Sequence, residues 1–253
     1  MTAGRLTVDG MSVALGAGAS RRPVIAGVDL DVAPGEFVAV IGPSGCGKST
    51  LFGVLAGLIR PDHGTVALDG AVVTGPGHTA FMPQRDLLFP WRTVLQNAAL
   101  GLEVRGVPRR DARRRAGELF PRFGLAGFED DYPAALSGGM RQRAALLRTV
   151  VQDRELLLLD EPFGALDALT RTDLQQWLQD IWTEYRWTTL LITHDIREAV
   201  QLADRVVVLS PRPASIRGIV TVDLPRPRGV ELLAHPEFVR AEQELLSLLA
   251  PAG

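Results

Sequence analysis

Hydrophobic positions change their period several times along the 253 residues, and each change marks an element. Up to residue 41 the pattern is that of strands. Leu6-Thr7-Val8 and residues 11–15 are short apolar runs, and Val28-Asp29-Leu30-Asp31-Val32 alternates as a half-exposed strand does. Between them, residues 16–23 are mostly small, carry two arginines and read as a solvated loop. Pro34-Gly35 turns the chain into Phe37–Ile41, apolar at every position and so expected to be buried. Beyond Ser49 the period becomes helical. Leu51, Val54, Leu55 and Leu58 fall on one face, and Pro61 is expected to stop that helix. Residues 64–70 and 79–82 read as further short strands.

From residue 87 to about 150 the strand signals disappear. Val94–Val104, residues 109–123 and residues 144–150 read as helices, a lobe inserted into an α/β core. Strands return at 156–159, whose four leucines leave no polar face, as in the middle of a parallel sheet covered by helices. Leu174, Trp177, Leu178, Ile181, Trp182 and Tyr185 then form a helical stripe, expected to face the core. Residues 189–193 and Arg205–Leu209 supply two more strands. After Ser210 the chain is rich in Pro and Arg, with a weak helix over 238–249. Strands alternating with helices imply a parallel α/β sheet.

The junction after Phe37–Ile41 carries the first chemistry. Gly42-Pro43-Ser44-Gly45-Cys46-Gly47-Lys48-Ser49, entering a helix at Thr50, is G-x-x-x-x-G-K-[ST], the P-loop, in the strand–loop–helix setting it requires. Its glycines let consecutive backbone N–H groups turn towards a phosphate, and the helix N-terminus adds partial positive charge beneath the same anion. Lys48 is placed to reach the terminal phosphates, and the Ser49 hydroxyl to ligate Mg²⁺. Composition sharpens this reading, because Lys48 is the single lysine in a chain that otherwise uses arginine. An ammonium is kept where a compact charge must fit between phosphates.

The acidic partner follows the leucine strand. Asp160 would hold Mg²⁺, and Glu161 is the better candidate to orient and polarise an attacking water. A third piece, Ser137-Gly138-Gly139-Met140, opens a helix as N-cap and glycine N–H groups, a second anion nest. A second phosphate site beside one P-loop fits a pair of copies closed by ATP, each P-loop facing the other's nest. The net charge of −2 offers no global basic field for nucleic acid, and Arg113-Arg114-Arg115 reads as a solvated helix face. One cysteine, Cys46, implies no disulfide framework and a reducing compartment. The start of the chain shows no secretory signal and no run is long enough to span a bilayer, so a soluble protein is expected.

P-loop, Ser-Gly-Gly signature and LLLLDEP, in this order and spacing, resemble the nucleotide-binding subunit of an ABC transporter, over about residues 6–209. The resemblance implies a P-loop NTPase (RecA-like) α/β core with N-terminal antiparallel β strands and an inserted α-helical lobe. Residues 1–86 would hold the N-terminal β region and the P-loop half of the ATPase core, and 87–150 the helical lobe with the signature. Residues 151–222 would complete the core, and 223–253 would be a C-terminal tail. The resemblance makes Gln84 the Q-loop residue, sensing Mg²⁺ and the γ-phosphate, and His194 the switch histidine on that phosphate. Ala165-Leu166-Asp167 matches the D-loop, crossing the dimer interface. Where the family usually stacks an aromatic on adenine this chain has Leu15, so apolar contact must substitute; Met140 stands where glutamine is commonest.

A narrower resemblance lies in Phe81-Met82-Pro83-Gln84, Leu88-Phe89-Pro90-Trp91-Arg92-Thr93-Val94 and the run from Pro162 to Arg171. These are similar to the nitrate/sulfonate/taurine importer branch, which includes uptake of pyrimidine precursors of thiamine. Phe89-Pro90-Trp91 would then dock a membrane partner. The implied protein is an ATP-hydrolysing subunit powering import of a small anion or heterocycle. It would use ATP and Mg²⁺, dimerise through an ATP sandwich and sit peripherally on the cytoplasmic face of the membrane. Its partners would be transmembrane permease subunits and, indirectly, an extracytoplasmic substrate-binding protein, with no nucleic acid. The alternative is a soluble non-transport ABC ATPase; those relatives usually carry tandem ATPase units or a long coiled-coil insertion, unlike the one P-loop and short lobe here. A nucleotide-binding module without turnover is a third reading, opposed by Glu161 and His194.

Overall fold

The computed structural model describes residues 3–164 and 166–250. Two sheets organise the described residues. The first is antiparallel and four-stranded, in the order β2-β1-β4-β5, with β1 at Leu6–Leu15, β2 at Arg22–Val32, β4 at His63–Leu68 and β5 at Ala71–Val72. The two apolar runs expected at residues 6–8 and 11–15 belong to one strand. A bulge joins them, because Val8 pairs with Leu30 and Met11 with Val28, leaving β1 one residue longer than its partner.

The second sheet runs β10-β9-β3-β8-β7-β6. Its strands are β3 at Phe37–Ile41, β6 at Ala80–Met82, β7 at Leu156–Asp160, β8 at Thr188–Ile192 and β9 at Arg205–Leu209, all parallel. At one edge β10, Ile216–Thr221, pairs antiparallel with β9. The sequence pattern missed β10 because only Val220 of its six residues is buried, so it shows almost no apolar period.

Alternation along the parallel strands splits the core in two. Phe37, Ala39, Ile41, Leu157, Leu159 and Leu191 face one side, which carries α2 (Val94–Val104), α3 (Arg109–Gly117), α4 (Gly138–Val150), α5 (Ala168–Tyr185), α6 (Ile196–Leu202) and α7 (Pro236–Leu249). Val38, Val40, Leu156, Leu158, Leu190 and Ile192 face the other, against α1 (Lys48–Leu55) and the antiparallel sheet. In the α5 stripe Leu174, Leu178, Ile181 and Trp182 are buried as expected, Trp177 and Tyr185 are only half-buried against the core, and Trp182 meets Phe37 edge to face at 5.6 Å.

Two helix ends differ from the sequence expectation. α1 ends at Leu55, well before Pro61. Gly57 N donates to Val54 O and Leu58 N to Gly53 O, the two bonds of a Schellman cap, with Gly57 at φ +71. A Cβ there would lie 1.8 Å from Gly75 O, so only glycine closes this turn. Leu58 therefore leaves the helical face and is exposed. α3 stops at Gly117, and Phe120 and Phe123 reach the core from the turns that follow.

Candidate active site

The parallel strands deliver the candidate groups to one edge. The P-loop follows β3, Glu161 follows β7, Thr193-His194 follow β8 and Gln84 follows β6 closely. Ligands bind at the carboxyl ends of parallel strands because the loops there converge over the helix N-termini. Ser44, Gly45, Gly47, Lys48, Ser49, Thr50, Glu161, His194 and Arg212 line an open cleft of about 450 Å³ at this edge.

Gly47 caps α1 at φ +131, and a Cβ would meet Val24 Cγ1 at 3.0 Å. Glycine lets the loop wrap tightly against β2 and turn its N–H groups outward. Lys48, almost fully buried, folds back onto the loop: Nζ donates to Gly42 O at 2.8 Å and Pro43 O at 3.2 Å. Gly42, Pro43 and Cys46 lie behind the lining; the Cys46 thiol is buried in the core beneath.

Asp160 ends β7 and is nearly buried. Burial raises its pKa, and the neighbouring Glu161 charge raises it further; a hydrogen bond from Ser49 and the charge of Lys48 act against this. Ser49 and Asp160 thus stand side by side as hydroxyl and carboxylate. Together with substrate phosphates and water they suit Mg²⁺, which takes few protein ligands. Among the described residues no cluster of three His, Cys, Asp or Glu forms an all-protein metal cage.

Glu161 adopts the left-handed conformation, φ +46, which costs a residue with a side chain about 1–3 kcal/mol. The turn is held by Glu161 N donating to Ile192 O at 2.9 Å and Gly164 N donating to Glu161 O at 3.2 Å. It aims the carboxylate at the cleft, where two residues meet one of its oxygens. Gln84 Nε2 donates to Glu161 Oε2 at 2.9 Å, and His194 Nδ1 lies 3.4 Å from the same atom.

The remaining candidates stand apart from this cleft. Ser137 caps α4, its Oγ accepting from Met140 N at 3.2 Å. Gly139 sits so close to α5 that a Cβ would lie 2.8 Å from Thr170 Cγ2. Asp167 caps α5 and accepts from Thr170 N at 3.1 Å, a bond that lowers its pKa. Ala165 of the D-loop match lies outside the described residues. Ser137, Gly138, Gly139 and Asp167 therefore form a patch of their own, and none lines the P-loop cleft of the same chain. Leu15, at the end of β1, is 41% exposed.

Arg212 lines the cleft but was left in the Pro- and Arg-rich tail by the sequence pattern. The available signal was its place just after a strand recognisable as parallel, where the carboxyl-edge rule applies.

The ABC transporter family profile matches residues 25–164. The aliphatic sulfonates import ATP-binding protein SsuB of Bacillus licheniformis is 45% identical over 234 residues, 92% of this chain and 89% of that one. The bicarbonate transport ATP-binding protein CmpC of Synechococcus elongatus is 45% identical over 228 residues, 88% of this chain and 34% of that longer protein. A solved dimeric ATP-binding cassette in a post-hydrolysis state, bound to ADP and Pi, superposes with a TM-score of 0.74 at 26% identity, covering 87% of this chain and all of that one. With the P-loop and the carboxylates gathered at one sheet edge, this likeness has one meaning: the chain belongs to the ABC transporter family, as an ATP-hydrolysing ATP-binding subunit.

Proposed function

We propose that this subunit powers import of a small anion or heterocycle, working as a pair of copies on the cytoplasmic face of a membrane, bound to permease subunits. The observation that carries the hydrolytic part is the meeting of Gln84 and His194 on Glu161 Oε2 beside the P-loop. ATP phosphates would seat on the loop N–H groups, and Lys48 would exchange the Gly42 and Pro43 carbonyls for the terminal phosphates. Mg²⁺, held through Ser49, Asp160, Gln84 and the phosphates, would supply charge neutralisation. Glu161 orients and polarises the attacking water, while His194 holds the γ-phosphate in line. Hydrolysis here is chiefly positioning and charge stabilisation. Gln84 and His194 share the Glu161 oxygen, so a γ-phosphate that engages them competes with that contact. The state of the nucleotide is thereby passed to the segment after β6.

That segment carries the surface we assign to the permease. Phe89 and the 70%-exposed Trp91 pack at 5.1 Å between centroids, on a loop fastened by buried Asn97. Asn97 Nδ2 donates to the carbonyls of Phe89, Arg92 and Thr93, and its Oδ1 accepts from Phe89 N at 2.7 Å. An exposed aromatic pair on a rigid loop suits a docking contact. Among the described residues no helix is long and apolar enough to cross a membrane, and the membrane-spanning role is assigned to the permease subunits. The separate Ser137–Gly139 patch and the dimeric cassette support each copy's signature facing the other's P-loop, with ATP favouring the closed pair. The sulfonate and bicarbonate names of the relatives support anionic cargo and give no support to a soluble non-transport ATPase. An extracytoplasmic binding protein would deliver the cargo to the permease.

Glu161→Gln tests the assignment. ATP binding should persist while turnover falls by at least 10²-fold and dimers accumulate on a sizing column. Near-normal hydrolysis would remove Glu161 from its role. Lys48→Ala should instead weaken nucleotide binding.

A further inference from the structure

We propose that Arg212 binds the terminal phosphates of ATP, an inference that rests on the ATP-site reading above. Arg212 sits two residues after Ser210, at the carboxyl end of β9 beside the P-loop strand. Arg212 lines the same cleft as Ser44, Lys48, Ser49, Glu161 and His194, on the β9 flank of the P-loop strand, with β8 and β7 on the other flank.

The loop presents this guanidinium on a fixed support. Pro211 and Pro213 flank it and restrict the backbone on both sides. Ser210 N donates to Ser215 O at 2.9 Å and Ser215 N donates to Ser210 Oγ at 3.0 Å, closing the loop at its base. Ala214, fully buried, ties the loop to β2: its N donates to Val24 O at 2.8 Å and its O accepts from Ala26 N at 2.9 Å. Val24 is the residue that packs under Gly47 of the P-loop. The support of Arg212 and the support of the phosphate cradle are therefore the same strand.

Arg212 is also uncommitted. Its neighbours in the sheet region are paired, Arg205 to Glu36 and Arg226 to Asp204. Among the described residues Arg212 makes no hydrogen bond, ion pair or ring contact. Charge balance gives this guanidinium a role. Asp160 and Glu161 oppose Lys48 at the cleft, so a nucleotide that carries about −2 even with Mg²⁺ bound needs a further cation. A guanidinium matches phosphate oxygens with paired donors.

The experiment measures ATP, ADP and AMP affinity by isothermal titration, at low and high salt, for the wild type, Arg212→Gln, Arg212→Lys and Lys48→Ala. Arg212 is exposed, so the Gln variant should keep the wild-type melting temperature. Arg212→Gln should weaken ATP on the order of tenfold and ADP less. It should leave AMP unchanged and flatten the salt dependence of ATP binding, with Arg212→Lys recovering part of the loss. Unchanged ATP affinity in Arg212→Gln, beside a weakened Lys48→Ala, would overturn the proposal and leave the ATP site standing. Equal losses for AMP and ATP would overturn it in favour of a base or ribose contact. A wild type that binds no ATP would sink the underlying site reading together with it.

Discussion

Glu198 offers a test of the electrostatics behind His194. It lies on α6, four residues after His194, and is almost fully buried, with Oε2 accepting from Gln175 Nε2 at 3.0 Å. Burial pushes its pKa from 4.5 up to about 7; the Asp195 charge adds to this, while hydrogen bonds from Thr193 and Gln175 and the charge of Arg171 oppose it. The folded chain thus keeps the proton up to about pH 7, whereas the unfolded chain releases it above 4.5. Between those values the folded state binds more protons, so stability falls as pH rises, then levels off once both states are ionised. The shift corresponds to about 3 kcal/mol. Glu198→Gln keeps the shape and removes the titration. Urea unfolding followed by tryptophan fluorescence, at pH 5 and pH 8, gives stability for both proteins. Relative to the wild type the variant should gain about 2.5 kcal/mol between the two pH values, since pH 5 already lies above the unfolded pKa, with other titrating groups cancelling in the difference. A wild-type-minus-variant difference that does not change with pH would refute the buried, protonated Glu198.

Other substitutions probe how the site is held. Arg228 is 2% exposed and its guanidinium donates to the carbonyls of Val200, Ala203, Val222 and Leu224, joining the end of α6 to the chain after β10. Arg228→Ala strands those acceptors and should cost about 3 kcal/mol or more in chemical denaturation; a loss below 1 kcal/mol would contradict the role. Ser137→Ala removes the α4 cap and should cost about 1 kcal/mol. If Ser137 also faces a partner's nucleotide, the same change should weaken ATP-driven dimerisation measured by sedimentation by more than its effect on monomer stability explains.

Contiguous features were legible in the sequence. The P-loop, its buried strand and the LLLLDEP strand each depend on neighbouring residues, whose apolar run and turn chemistry specify them locally. Val94–Val104 and Arg205–Leu209 match the structure to the residue for the same reason. Features that depend on distant partners were not legible. β10 exists because β9 offers an edge, while its own pattern hardly alternates. α1 ends at Leu55, ahead of Pro61, because the turn at Gly57 packs against Gly75, remote in sequence, with no room for a side chain. The sequence by itself determined which groups the chain carries: a P-loop, Asp160 and Glu161, Gln84, His194 and a signature serine. Only the tertiary structure decided that Gln84, 77 residues from Glu161, meets it on the oxygen His194 approaches, that Arg212 joins them, and that Ser137 does not. The physical reason is the parallel register of β6, β7, β8, β3 and β9, which brings their carboxyl ends to one edge whatever the length of chain between them.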